Sequence, residues 1–298
     1  MATTDLQGLF SEPILEQTYL DPGYSDHASD VWQVRTEREE VVVRIPRFTG
    51  APLGEFGLGV QQLFGVNLGR VYDLEAINQL VCEISPIPAP RVLRKGAVDG
   101  RPCVVVEKMP GDTVESFLDL PNAALERFGR DLAAIHRHRF DHGGSPTGSL
   151  RYPLEEFHAR VAETMKAVAA ECHRNDHAIT AALEEKYQAV LRLPPPQAAA
   201  LILVDMDARQ FLSDGNRVTA VVDTEAYAIG PRELDFIALE YVLDRKGAGA
   251  VAHGYEALLP LPDLSAVRPV YRFLYRLFAI QGQVDLEQWM AMKPIFDR

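Results

Sequence analysis

The stretch Leu201–Asp223, LILVDMDARQFLSDGNRVTAVVD, decides how this chain is read. Its apolar run Leu201–Val204 is long enough for a short buried strand. Asp205 stands at the end of that run, where the backbone leaves the core. A short loop carries Asp207, Arg209 and Gln210, and Phe211 and Leu212 resume the apolar pattern. Asp214-Gly215 signals a hairpin, because both residue types tolerate the positive φ of a tight turn between twisted strands. The return strand, residues 218–222, delivers Asp223. The expected product is two carboxylates at the open ends of neighbouring buried strands, with the Gln210 amide between them. Such oxygen donors suit Mg²⁺, which keeps several waters and takes one or two carboxylates plus substrate phosphates.

Outside this stretch, 298 residues suffice for a large core and two lobes. No apolar run reaches the roughly eighteen residues of a spanning helix, so no membrane partner is expected. The opening MATTDLQGLFSEP lacks the basic segment of a secretory signal. Cys82, Cys103 and Cys172 are odd in number and widely spaced, which fits reduced thiols in the cytoplasm. A net charge of −12 argues against nucleic acid, whose phosphates need a basic face. Acidity of this kind favours solubility, and it would also suit a cationic small substrate.

Upstream, the pattern is strand-like. Residues 14–20, 30–36 and 41–45 read as three antiparallel strands, with a turn at Gly23-Tyr24-Ser25-Asp26 and an acidic hairpin tip at 37–40. Arg44 interrupts the β-branched run VVVRI. A cation there either faces a polar cleft or lies on a solvated outer face, since burial alone would cost too much. Five glycines in residues 54–69 lack the strand–turn–helix setting of a phosphate fingerprint, and an insertion or short helix is expected. A helix over residues 71–83 follows, with Leu74, Ile77, Leu80 and Val81 on one face and Glu75 near its start. The Pro-rich 85–90 ends it, and residues 91–94 and 103–107 form a hairpin around Asp99-Gly100. Glu107, Met109 and the Pro110-Gly111 exit close this half.

Beyond Gly111 the period changes to that of helices. They are expected at 122–139, capped by Asn122, at 152–172 and 176–191, and downstream at 233–243, 250–258, 264–280 and 286–292. His136, His138 and His142 lack carboxylate or thiol partners in a ligating spacing and are read as structural.

Asp205, Gln210 and Asp223, in this order of parts, resemble the aminoglycoside phosphotransferase and choline kinase-like family, relatives of the protein kinases. That family reads H-G-D-x-x-x-x-N, then a hairpin, then I-D-W/F. The resemblance implies a bilobal α+β fold: an antiparallel-sheet nucleotide lobe over residues 1–109 and a helical catalytic and substrate lobe over 110–298. It implies a small-molecule kinase using ATP or GTP with Mg²⁺. Asp205 would be the catalytic Asp that orients the substrate hydroxyl and takes its proton, and Gln210 and Asp223 would hold the metal. Gly23, Tyr24 and Ser25 would cover the nucleotide, Arg44 would bind its phosphates and pair with Glu75, and Glu107 and Met109 would contact adenine through the backbone. Glu225 would face the acceptor, a hydroxylated and cationic small molecule. Asp235 would brace the catalytic loop. The chain departs from the pattern where Leu203-Val204 replace His-Gly, Gln210 replaces Asn and Thr224 replaces the aromatic residue. These departures motivate an alternative, a catalytically impaired kinase-like protein that binds or regulates.

Overall fold

The computed structural model describes residues 4–21, 28–48, 50 and 54–297. The first half builds a five-stranded antiparallel sheet from β1 (Glu16–Tyr19), β2 (Ser29–Arg35), β3 (Glu40–Pro46), β4 (Val92–Val98) and β5 (Arg101–Glu107), in the order β1-β2-β3-β5-β4. Helices α1 (Gly54–Phe64) and α2 (Leu74–Ile84) lie between β3 and β4 in sequence. The period of two along β3 gives the sheet two different faces. Val41, Val43 and Ile45 join Val34, Cys103 and Val105 in a cluster that the N-terminal Leu6 covers. Val42, with Val104 and Val106 of β5, packs instead on Val71 and on Leu74 of α2. Arg44 shares the Val42 face by alternation, so β3 aims its one cation toward α2 and the larger lobe. The Asp99-Gly100 turn has φ of 51° and 76°, the double positive φ of a type I′ hairpin.

The second half is mainly helical: α3 (Asn122–Arg137), α4 (Phe157–Cys172), α5 (His177–Leu191), α6 (Glu233–Val242), α7 (Arg245–Glu256), α8 (Arg268–Leu277) and α9 (Leu286–Met290). Short strands sit among them: β6 (Asp112–Thr113), β7 (His142–Gly144), β8 (Arg151–Pro153), β9 (Ala200–Ile202), β10 (Phe211–Ser213), β11 (Val218–Val221) and β12 (Ala228–Gly230). A small antiparallel sheet over a larger helical lobe is the bilobal protein-kinase-like fold. Asn122 does not cap α3. Pro121 holds the cap position, with its fixed φ of −64°, and Asn122 is already helical.

The central stretch differs from its expectation in one respect. β9 and the β10–β11 hairpin do not neighbour one another. β9 pairs with β12 in the sheet β8-β7-β12-β9, whereas β10 and β11 pair in β11-β10-β6. Asp205 and Asp223 therefore leave strands of two different sheets. The hairpin turn is also longer than two residues. Asp214 accepts from the amides of Asn216 (2.9 Å) and Arg217 (3.0 Å), and Gly215 alone carries the positive φ, 87°.

Candidate active site

The chain leaves β9 through Leu203 and Val204 into a tight reversal. The Asp205 amide donates to the Leu203 carbonyl at 2.7 Å, closing a three-residue turn centred on Val204 at φ 63°. A γ-turn with positive φ is the rarer, strained kind, and a β-branched residue is poorly suited to it. Asp235, fully buried at the start of α6, holds it in place. Its carboxylate accepts from the amides of Leu203 (3.0 Å) and Val204 (3.3 Å). His136 of α3 braces that carboxylate at 3.1 Å, and its other ring nitrogen meets the Tyr255 hydroxyl at 3.0 Å. His136 is thus a support of the loop, and the turn it supports aims Asp205 into the cleft.

Asp205 Oδ2 accepts from Gln210 Nε2 at 2.9 Å. Asp205 Oδ1 and Gln210 Oε1 are buried and have no hydrogen-bond partner. Burial first, then the charges of Asp207 and Asp223, push the Asp205 carboxyl up to about 7, against the opposing pull of Arg209 and the Gln210 amide. A carboxyl poised near neutrality suits a proton acceptor working at neutral pH.

Opposite stands Asp223, in a left-handed conformation (φ 64°, ψ 49°) that turns the chain out of β11. Arg44 reaches across from β3. Its Nη2 pairs with Asp223 Oδ1 and lies 2.5 Å from Glu225 Oε1. The Arg44 side chain is 11 % exposed, and its Nε is buried without a partner. Burial disfavours that charge, but Glu225 and Asp223 more than offset it and hold the guanidinium protonated. The Asp223 side chain is about half exposed (48 %). Its carboxyl is lowered: burial opposes ionisation and the Arg44 charge overcomes it. Burial drives Glu225 the other way, up to about 8, with Asp223 adding to the shift and Arg44 resisting it. Two acids here share one cation, and near neutrality Asp223 carries the negative charge.

The sequence model of the phosphotransferase enzyme family matches residues 23–270. The chain belongs to that family. No curated protein matches it. Among solved structures, the apoenzyme of macrolide 2′-phosphotransferase MphH from Brachybacterium faecium is 15 % identical, with 99 % of each chain covered and a TM-score of 0.60. The GDP and kanamycin complex of APH(2″)-IIIa is 16 % identical over 96 % of this chain and 93 % of that one, with a TM-score of 0.63. A ternary complex of a thermostable mutant of aminoglycoside phosphotransferase APH(4)-Ia with ADP and hygromycin B is 16 % identical over 96 % and 90 %, with a TM-score of 0.60. At such identities the likeness establishes the fold.

In this phosphotransferase the other expected residues are placed unevenly. Glu75 does not meet Arg44. It lies on the outer side of α2, where Lys95 of β4 takes its carboxylate at 2.5 Å. The inward position of α2 belongs to Asn78, 2 % exposed, in the middle of the Leu74, Ile77 and Val81 stripe. Asn78 went unread in the sequence, although a polar residue inside an apolar helix face is a signal. Glu107 turns its carboxylate away from the Arg44 face and onto Arg91, whose backbone carbonyl also takes the Glu107 amide at 3.0 Å. Met109 stands in the linker after β5, beside a cavity of about 480 Å³ that Val41, Leu93 and Glu107 also line. Gly23, Tyr24 and Ser25 lie outside the described residues. Glu225 joins the Arg44 cluster on one side and on the other lines a small cavity of about 10 Å³ with Asn67, Arg70 and Ser145, room for about one water.

No set of three or more His, Cys, Asp or Glu among the described residues forms a metal cluster. The donors that a family metal would meet are the Asp223 carboxylate and the unpartnered Gln210 Oε1. Both are hard oxygens, and two protein ligands completed by water and phosphate suit Mg²⁺. Since Gln210 Nε2 faces the Asp205 carboxylate, its carbonyl oxygen is the atom left over for a cation.

Proposed function

We propose that this phosphotransferase moves the terminal phosphoryl group of ATP or GTP to a hydroxyl of a small molecule, with Mg²⁺. The observation that carries this reading is the pair of buried, unpartnered oxygens, Asp205 Oδ1 and Gln210 Oε1, opposite an Arg44 guanidinium with an unpartnered Nε. Asp205 would orient the acceptor hydroxyl and take its proton as the new O–P bond forms. The bond from the terminal phosphorus to its bridging oxygen breaks, and the nucleoside diphosphate leaves. Arg44 would offer Nε to a phosphate oxygen while Glu225 keeps its Nη2 in place. Asp223 and Gln210 would hold Mg²⁺, which when bound neutralises charge on the phosphates. Catalysis of this kind is mostly positioning and electrostatics. The Met109 backbone would serve the base, and the division into nucleotide and substrate lobes falls at 109/110.

The acceptor is an aminoglycoside-, amino alcohol- or sugar-like hydroxyl compound. The chain's net charge of −12 supports a cationic one, as do the kanamycin and hygromycin B named with two of the similar structures. Free Cys82, Cys103 and Cys172 support a cytoplasmic setting. No helix among the described residues is long and apolar enough to cross a membrane. The test is a screen of hydroxylated amines for stimulated nucleoside diphosphate release. Turnover should fall at least about a thousandfold in Asp205→Ala and in Asp223→Ala. Unchanged turnover in either variant overturns the assignment.

A second reading, a kinase-shaped binding protein, draws on the Arg44–Asp223 pair, because that guanidinium already neutralises the carboxylate that would take the metal. Calorimetry separates the two: nucleotide binding that ignores Mg²⁺ favours the binding protein.

A further inference from the structure

We infer that Asn78 and Thr224 form the coupling that fixes the metal-binding turn to helix α2, in place of the ion pair that Glu75 does not make. The inference rests on the phosphotransferase reading above. Thr224, 1 % exposed, directly follows Asp223. Its Oγ1 donates to Asn78 Oδ1, and Asn78 Nδ2 donates to the Pro90 carbonyl at 2.8 Å. Both polar ends of one buried amide are therefore spent, one on the Asp223 turn and one on the segment leading into β4. A second link runs in parallel, from the Val221 amide to the Pro88 carbonyl at 3.0 Å. The end of β11 is thus tied on either side of Asp223 to α2 and its Pro-rich exit.

The tie has a job because Asp223 sits at positive φ, a conformation that Asp tolerates better than most residues but that is still held more firmly where its surroundings favour it. A Thr hydroxyl one residue on, anchored to a rigid helix, supplies that support. Asn78 and Thr224 are positioning residues: they act on the metal through Asp223.

The experiment compares Thr224→Val, which keeps shape and removes the hydroxyl, with Thr224→Ser, which keeps the hydroxyl, and with Asn78→Ala. Calorimetry measures ATP affinity with EDTA and with Mg²⁺ for each folded protein. We expect Thr224→Val and Asn78→Ala to weaken the Mg²⁺-dependent gain in affinity about tenfold, with metal-free ATP affinity changed less than about twofold, and Thr224→Ser to restore the gain. The double variant should lose no more than either single one. Equal weakening with and without metal, or no change in Thr224→Val, overturns the inference while leaving the phosphotransferase reading intact. If the wild-type chain shows no Mg²⁺-dependent gain, that reading fails and this inference falls with it.

Discussion

Val204 shows what one residue can cost and still be kept. Its φ of 63° carries a penalty of about 1–2 kcal/mol for any side chain with a Cβ. Its side chain is 0 % exposed in the main core, which returns about 2 kcal/mol by burial. Truncation should therefore invert the usual order. Val204→Ala loses burial and keeps the strain, whereas Val204→Gly loses burial and relieves it. In urea unfolding the Gly variant should be as stable as the Ala variant or more so, by up to about 1 kcal/mol; the reverse order would mean the turn is unstrained. Asp205 carries a pH signature. Its carboxyl is raised in the fold from 3.8 to about 7, so its contribution to stability is fully present below about 4 and lost as the pH rises through about 7. Asp205→Asn should raise the melting temperature in EDTA at pH 8 by several degrees, on the order of 1 kcal/mol or more, with the gain shrinking to nothing near pH 4. Differential scanning calorimetry across that range checks it, and a pH-independent shift would show that Asp205 is not desolvated. The position of Asp205 just beyond a buried strand was legible in the sequence, because the apolar run before it reads as one. The γ-turn was not, since nothing in Leu203-Val204 announces a positive φ.

At the scale of elements, α3 and α7 pack so closely that glycine decides the contact. A Cβ on Gly254 would run into the Glu126 carbonyl, and one on Gly129 into the Val251 carbonyl. Gly249 of the same α7 has nothing within 4 Å. In an exposed helix Gly→Ala stabilises by about 1 kcal/mol. Gly249→Ala should show that gain, and Gly254→Ala should instead destabilise by about 1–3 kcal/mol through overpacking. Thermal melts of the two variants decide it; parallel gains would mean the helices can slide apart. The sequence disclosed the helices through their period but not this pairing, because period reports a buried face and not what lies on it. The same limit explains Glu75. Two polar residues three positions apart on α2 offered themselves, and the charged one drew the family's ion pair. Packing turned Asn78 inward, while Lys95 of the neighbouring hairpin captured Glu75 outside. β9 and the hairpin after it were likewise legible as strands, yet short apolar runs do not specify partners, so their membership of separate sheets was hidden.

For the whole molecule, the change from period two to period 3.6 after Gly111 made the two lobes readable. What joins them was not, because Arg44 and Asp223 are 179 positions apart. In the fold, Arg44 on a strand of the small lobe is the counterion of Asp223 on the large one and lies against Glu225, and its removal leaves the ionised Asp223 without a cation beside a Glu225 that keeps its proton. A carboxylate stripped of its cation is costly, so a divalent ion gains a purpose in the variant that the guanidinium serves in the wild type. Mg²⁺ added without nucleotide must displace Arg44 from Asp223 in the wild-type protein, and meets no such competitor in Arg44→Met. Stabilisation by a ligand follows its affinity for the folded state, and a tenfold difference in affinity is worth about 1.4 kcal/mol at saturating metal. Arg44→Met should therefore melt below the wild type in EDTA and recover several degrees with millimolar Mg²⁺, while the wild type moves by about one degree or less. Ca²⁺, also an oxygen-seeking cation, should act in the same direction, and Na⁺ at equal ionic strength should not. Equal Mg²⁺ shifts in both proteins would show that the guanidinium and the metal do not compete for Asp223, and that the acids and the cation occupy independent sites across the cleft.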